Sequence, residues 1–282
     1  MHVNSYDTQS LITINKWKNP PKGWLMQKFD KVKAPLNSAS DFIMDNAVGE
    51  AVNKSLMGII STLNDGAAWS VQTEIILKEY REKGCVVNKH SDIHNLSLKT
   101  CDKVVGYLGA KYKSIALAEG GGAGLLGAPG MLVDIPALFA LNLRAVAEYA
   151  TYYGFDVDEQ HEREYIINVL MYTSSPSLVA KQTTLAELSR IAVMVSKNKT
   201  WEQINKSVLA QGIVKAGESI GMNITKDKLG QAIPVVGALI GAGYNAYFTN
   251  SVCEAAYNLY RERFLAVKYG EEIYRFQHNT TK

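Results

Sequence analysis

The chain has 282 residues, 47% of them hydrophobic and 20% charged, enough to build a core in one large domain or two small ones. A formal net charge of +3 is too small to point to nucleic acid as a partner. Cys85, Cys101 and Cys253 form no CxxC pair and no zinc spacing, a usage that fits unpaired thiols in a reducing compartment.

The first 22 residues read as irregular and end at Pro20-Pro21. They lack the apolar core and small-residue cleavage site of a signal peptide, so a cytosolic start is expected. Lys22 to Lys33 is the densest basic stretch and reads as a solvated amphipathic helix, with a weak interfacial helix as the alternative. Residues 1–35 are therefore taken as an irregular or loosely attached segment, 36–276 as a helical domain and 277–282 as a polar tail.

Helical spacing runs from Ser40 to Leu56 and on through Met57 and Ile60, and Asn64-Asp65-Gly66 reads as a turn. Ala67 to Tyr80 is helical again and stops near Lys83-Gly84. His90 to Leu98 is a less regular connector, followed by a helix from about Ser97 to Tyr112. His90 and His94 lie four apart in HSDIH. On a helix they could share a metal with Asp92 or Cys85, but the polar segment favours surface or capping histidines.

Next comes AEGGGAGLLGAPGMLVDIPAL, residues 118–138. Its glycines weaken an isolated helix but allow another backbone close. The expectation is a short glycine-rich helix to Leu126, a break at Pro129-Gly130, and a helix from about Asp134, its N-cap or first-turn acid, to Tyr152 with a stop at Gly154. Charged helical spacing follows from Asp158 to Met171, then helices over Leu178–Met194 and Trp201–Gly212. A second apolar glycine block, LGQAIPVVGALIGAGYNAY, spans Leu229 to Tyr247, and Phe248 to Tyr269 reads as a long helix. No stretch alternates as a strand pair would. The expected class is all-α, a single multi-helix globular bundle with two glycine-rich apolar helical segments packed in the core.

Leu229 to Phe248 is just long enough to cross a bilayer core, and Gly237 and Gly241 form a GxxxG notch. Asp134 and two prolines interrupt the first block, which disfavours a clean span. Packing of both blocks in the core is the favoured reading. Conditional membrane association through Leu125, Leu126, Met131, Leu132, Val235, Val236, Leu239 and Ile240 is the alternative. Arg261, Arg263 and Lys268 would add modest attraction to anionic lipid.

AEGGGAGLLGAPGMLVDIPAL at 118–138, NLRAVAEYATYYGFD at 142–156, the pair Glu162-Arg163, IPVVGALIGAGYNAYF at 233–248 and AAYNLYRERF at 255–264 together resemble the EcsC family. The resemblance covers roughly residues 40–270. It implies a bacterial, mostly helical protein and carries over no reaction and no catalytic residues.

No Walker loop, nucleophile elbow or HExxH motif is present. Candidate polar residues are Asp134, Arg144, Glu148, His161 and Glu162 for catalysis, and Glu119, Asp134, His161 and Glu164 for a divalent metal. Arg144 and Glu148 are i,i+4 neighbours suited to an ion pair. Tyr149, Tyr152, Tyr153, Tyr244 and Tyr247 read as core caps that also suit an interface or a ligand groove. The functional expectation is a non-catalytic protein that binds a membrane surface, a membrane-protein complex or an apolar ligand. It would be cytoplasmic, peripheral to the inner face of the membrane, with no resident cofactor. A metal-assisted hydrolase and a protein-interaction or toxin-related scaffold are the alternatives.

Overall fold

The computed structural model describes residues 3–20, 54, 58, 71–124, 128–174, 181, 183–186, 188, 237–270 and 273, with backbone alone for 120–124, 128–135 and 237–242. The expected helices over Ser40–Leu56, Leu178–Met194 and Trp201–Gly212, the turn at Asn64 and the basic stretch Lys22–Lys33 lie wholly or largely outside these residues. Among the described residues the protein is all-helical, a multi-helix globular bundle without strands.

Helix α1 spans Ser5–Lys18. The Asn4 side chain caps it, accepting from the Asp7 amide at 2.9 Å and donating to the Asp7 carboxylate at 2.7 Å. Asp7, Ser10, Leu11 and Ile14 recur at helical spacing and are buried. This corrects the expectation of an irregular N-terminus over these residues. The interrupting polar residues Asp7 and Ser10 face inward because partners await them.

Helix α2 (Thr73–Glu82) buries Ile76, Leu77 and Tyr80 and ends at Gly84, whose φ is +80°. A 3-10 turn over His90–Asn95 leads to α3 (Leu98–Val105), capped by the Ser97 side chain accepting from the Thr100 amide. One continuous helix from Ser97 to Tyr112 was expected. Gly106, at φ +51°, breaks it, and α4 (Leu108–Gly124) starts afresh.

The glycine tract GGGAG is the last part of α4 rather than a short helix of its own. Helix α5 begins at Ala128, six residues earlier than expected, and runs to Tyr152. Asp134 is therefore inside the helix, neither its N-cap nor in its first turn, and Pro129-Gly130 lies within the helix rather than at a break. Pro129 sits in the first turn, where a missing N–H costs no helical bond, while Pro136 lies within the helix. The helix closes as expected at Gly154, with φ +87°. There the Phe155 amide donates to the Ala150 carbonyl at 3.0 Å, which satisfies a terminal acceptor.

Helix α6 covers Gln160–Ser174, and α7 covers Gly237–Tyr269. At 1.5 Å per residue, α7 is roughly 50 Å long. It absorbs both the end of the second glycine block and the separate helix expected from Phe248. Helix α7 packs most extensively along α4, then α5, and also touches α6 and α1. Helices α4 and α5 form an antiparallel hairpin. At Gly109 a Cβ would meet the Tyr149 hydroxyl at 3.1 Å, tighter than an ordinary contact, so glycine eases the approach of α4 to α5, while Cys253 Cβ at 3.6 Å is at normal contact distance. Asn258 to Ala266 are all buried, which makes the C-terminal half of α7 the axis of the molecule.

Candidate functional site

A helix buried all round carries charge only if each charge finds a partner. Arg261, Glu262 and Arg263 are consecutive on α7, so their side chains leave about 100° apart and reach three different elements. Arg261 pairs with Asp102 of α3 at 3.0 Å. Glu262 receives Lys18 from the end of α1 at 2.6 Å. Arg263 pairs with Glu162 of α6 at 2.7 Å, and both side chains are 1% exposed. The triplet is thus a hub that ties three helices to one.

Each spoke is elaborated. Asp102 accepts from Tyr6 and Tyr153 at 2.7 Å each, and Arg261 also donates to Ser10 at 2.7 Å. Burial first, and then the Asp102 charge, hold the Tyr153 hydroxyl far above its ordinary pKa, so it remains a donor. Glu162 accepts from Tyr260 at 2.6 Å. Burial and the Glu162 charge likewise keep the Tyr260 proton in place. The Arg263 guanidinium lies 4.0 Å from the ring centroids of both Phe155 and Tyr165, a geometry in which the planar cation faces two aromatic rings.

The YYGFD stretch packs against this hub. Tyr153 binds Asp102, Phe155 covers Arg263, and Asp156 meets His90 at 3.3 Å. Gly154 is crossed closely by the 3-10 turn: a Cβ there would lie 2.9 Å from His94 Nε2 and 3.0 Å from the His90 carbonyl oxygen. His94 packs between Phe155 and Phe264, at centroid distances of 5.0 and 5.9 Å. Burial and then the Arg263 charge lower its pKa to about 4, against smaller opposing contributions from a Tyr153 backbone bond and Glu162. Arg263 Nη2, Glu162 Oε2 and His94 Nε2 are buried polar atoms with no hydrogen-bond partner among the described residues.

The residues singled out from sequence divide among separate places. Glu148 accepts from Lys111 at 3.0 Å and Arg144 at 3.3 Å, the i,i+4 pair that the spacing predicted. Glu162 belongs to the Arg263 hub instead, and Glu164 is buried on the same helix. His161 is half-buried, and burial lowers its pKa. Glu119 is exposed at the far end of α4. The side chains of Asp134, Met131, Leu132, Leu239 and Ile240 lie outside the described residues, as do Leu125, Leu126, Val235 and Val236 altogether. Among the described residues no three His, Cys, Asp or Glu side chains gather as metal ligands. His90 and His94 also part company, because the 3-10 turn sends one to Asp156 and the other between two rings. Asp92 accepts from the Asn88 and Lys89 amides and is held below the ordinary carboxylate range by them.

One expectation is corrected outright. Arg261 and Arg263 are 6% and 1% exposed, so neither can meet lipid. The three cysteines are free, and burial raises the thiols of Cys101 and Cys253 to about 12, well away from reactive thiolates. The signal missed in sequence is the Arg-Glu-Arg triplet inside an otherwise apolar and aromatic stretch of α7. It marks an axis with three charged partners.

No helix of the described residues is long and apolar enough to cross a membrane. No solved structure matches the chain. It is 25% identical to the uncharacterized protein YdbA of Bacillus subtilis (strain 168) over 260 residues, 90% of this chain and 91% of that one. It is also 25% identical to protein EcsC of the same organism over 186 residues, 66% of this chain and 73% of that one. The model of the EcsC protein family matches residues 8–265, which include the hub and all three of its spokes, and the chain belongs to that family.

Proposed function

We propose that this protein acts by binding, at the inner face of a membrane, through the glycine-rich end of the α4–α5 hairpin. The observation that carries this reading is the exposure at the end of α4. Leu117, Ala118 and Glu119 are all exposed. Three successive residues at about 100° steps span about 200° of the helix circumference, so α4 is open to solvent over more than half its girth at these residues. The apolar run that follows in sequence, GGGAGLLGAPGML, would enter the interface there. On α7, Tyr247 is 48% exposed and Gly243 has nothing within 4 Å of an added Cβ.

In the resting form α4 and α7 pack along one another, and parting of the hairpin between the end of α4 and the start of α5 would free the apolar sequence there. The ion-paired hub at the other end holds the bundle together while this end moves. The protein would be cytoplasmic and bound peripherally.

Flotation of purified protein with neutral and anionic vesicles, at low and high salt, tests the reading. Salt-resistant flotation that is lost in Leu125→Ser/Leu126→Ser supports apolar insertion. Flotation under no condition refutes it and favours a soluble ligand or a protein partner.

A further inference from the structure

The two most exposed large apolar side chains among the described residues are Tyr107, at 87%, and Val86, at 86%. Both stand on turns made by positive-φ glycines, Gly106 and Gly84. The turns are tied to each other, since Lys83 Nζ donates to the Lys103 carbonyl at 2.8 Å. The fold holds both outward.

The unpaired charge around them is basic: Glu74 and Glu82 are exposed as well, but each has a cationic partner. Every carboxylate between residues 71 and 107 is engaged within the molecule. Glu74 pairs with Arg81, Glu82 with Lys78 and Asp102 with Arg261. Glu79 accepts from Tyr152, and Asp92 from two backbone amides. Lys83, Lys99 and Lys103 are exposed, and none has a carboxylate partner among the described residues. Exposed apolar tips set among uncompensated lysines suit an interface whose surface is anionic and whose interior is apolar. A tyrosine is well matched to it, with an apolar ring and a polar end.

We propose that the Gly84 and Gly106 turns form a landing surface for anionic lipid headgroups, with Val86 and Tyr107 entering the interface and Lys83, Lys99 and Lys103 facing phosphate. This rests on the membrane reading given above and adds where the first contact is made. Tyr107 precedes α4 directly and its carbonyl accepts from the Lys111 amide at 3.0 Å, so it continues the helical register. Ala110, Ser114, Leu117 and Ala118 follow it at helical spacing and are exposed. Tyr107 and Leu117 are then roughly 15 Å apart along one face of α4. A helix lying flat on the membrane brings the basic turns and the glycine-rich end down together.

The test compares the full-length protein with K83E/K103E and with V86S/Y107S, floated with vesicles of phosphatidylcholine alone or mixed with phosphatidylglycerol. All four positions are exposed, and unchanged thermal midpoints confirm that the variants fold. The expected result is binding to the mixed vesicles that falls about tenfold or more in K83E/K103E, with several-fold loss in V86S/Y107S. Wild-type binding that both variants retain in full overturns this surface and leaves the glycine-rich end as the contact. No binding by the wild type overturns the surface and the membrane reading together.

Discussion

Arg263 and Glu162 meet at 2.7 Å in the centre of the bundle, between the rings of Phe155 and Tyr165, and neither side chain is more than 1% exposed. Two charges removed from water this completely are stable only as a pair. Arg263→Met is expected to lower unfolding free energy by about 3–5 kcal/mol, because it strands the Glu162 carboxylate. Glu162→Leu should cost a similar amount. The double variant should lie closer to wild type than either single one, since no charge remains buried. Chemical denaturation of the four proteins measures this, and simple additivity would show that the pair is not coupled. Arg263→Lys should also destabilise, because an ammonium cannot reproduce a planar cation held between two rings.

Gly154 is the second position where chemistry leaves no choice. Its φ is +87°, and a Cβ would press on both His94 Nε2 and the His90 carbonyl oxygen. Gly154→Ala is expected to cost about 1–3 kcal/mol from backbone strain and contact together. His94→Ala in the same chain should recover only part of this, because the His90 carbonyl and the backbone conformation remain. Thermal midpoints of the single and double variants decide the matter, and full recovery would place all of the cost on the His94 ring.

What the sequence made legible follows from periodicity and punctuation. The all-helical class, the stop at Gly154, and the Arg144–Glu148 pair rest on local spacing, and these appear as expected. The role of Glu162 does not follow from local spacing. Its partner Arg263 is 101 residues away, and nothing near Glu162 distinguishes a buried ion-pair partner from a metal ligand or a general acid. Arg261 and Arg263 were misread for the same reason, as lipid-facing charges after an apolar block. The α1 helix was obscured because Asp7 and Ser10 occupy its inward face, so its buried stripe does not look apolar. Gly106 was passed over in a helix-like run, although a positive φ there is what ends α3 and turns out Tyr107.

His94 predicts a specific acid sensitivity. Its folded pKa is about 4, below the ordinary value of 6.5, because burial and the nearby Arg263 charge disfavour the protonated ring. Also acting on it are a Tyr153 backbone hydrogen bond and the Glu162 charge, which favour protonation, and His90, which opposes it. A base with a depressed folded pKa binds fewer protons folded than unfolded. Its contribution is therefore complete above about pH 6.5, falls as pH drops toward 4, and is lost below that. The full span is on the order of 3 kcal/mol. His161, also lowered by burial, acts with the same sign. Stability measured between pH 7 and pH 4 should fall less steeply in His94→Phe than in wild type. Parallel curves would exclude His94 as the group responsible.

The last prediction concerns α1, which the hub makes a structural member rather than an appendage. Lys18 reaches Glu262, Tyr6 reaches Asp102, and Ser10 accepts from Arg261, so the helix supplies a partner to two members of the α7 triplet and one of their counter-ions. At its other end Asp7 accepts from Tyr269 at 2.7 Å, which fastens α1 to the end of α7. Lys18→Met takes a cation away from a glutamate whose side chain is 3% exposed, and should cost about 2–4 kcal/mol. Adding Glu262→Gln should return a large part of that, because the acceptor then carries no charge. Amide exchange should show residues 5–18 opening together with the C-terminal half of α7 in wild type, and earlier than it in Lys18→Met. A stability change within about 0.5 kcal/mol, the range of ordinary surface substitutions, would mean that α1 is held by its apolar face, Leu11 and Ile14, and not by its charges.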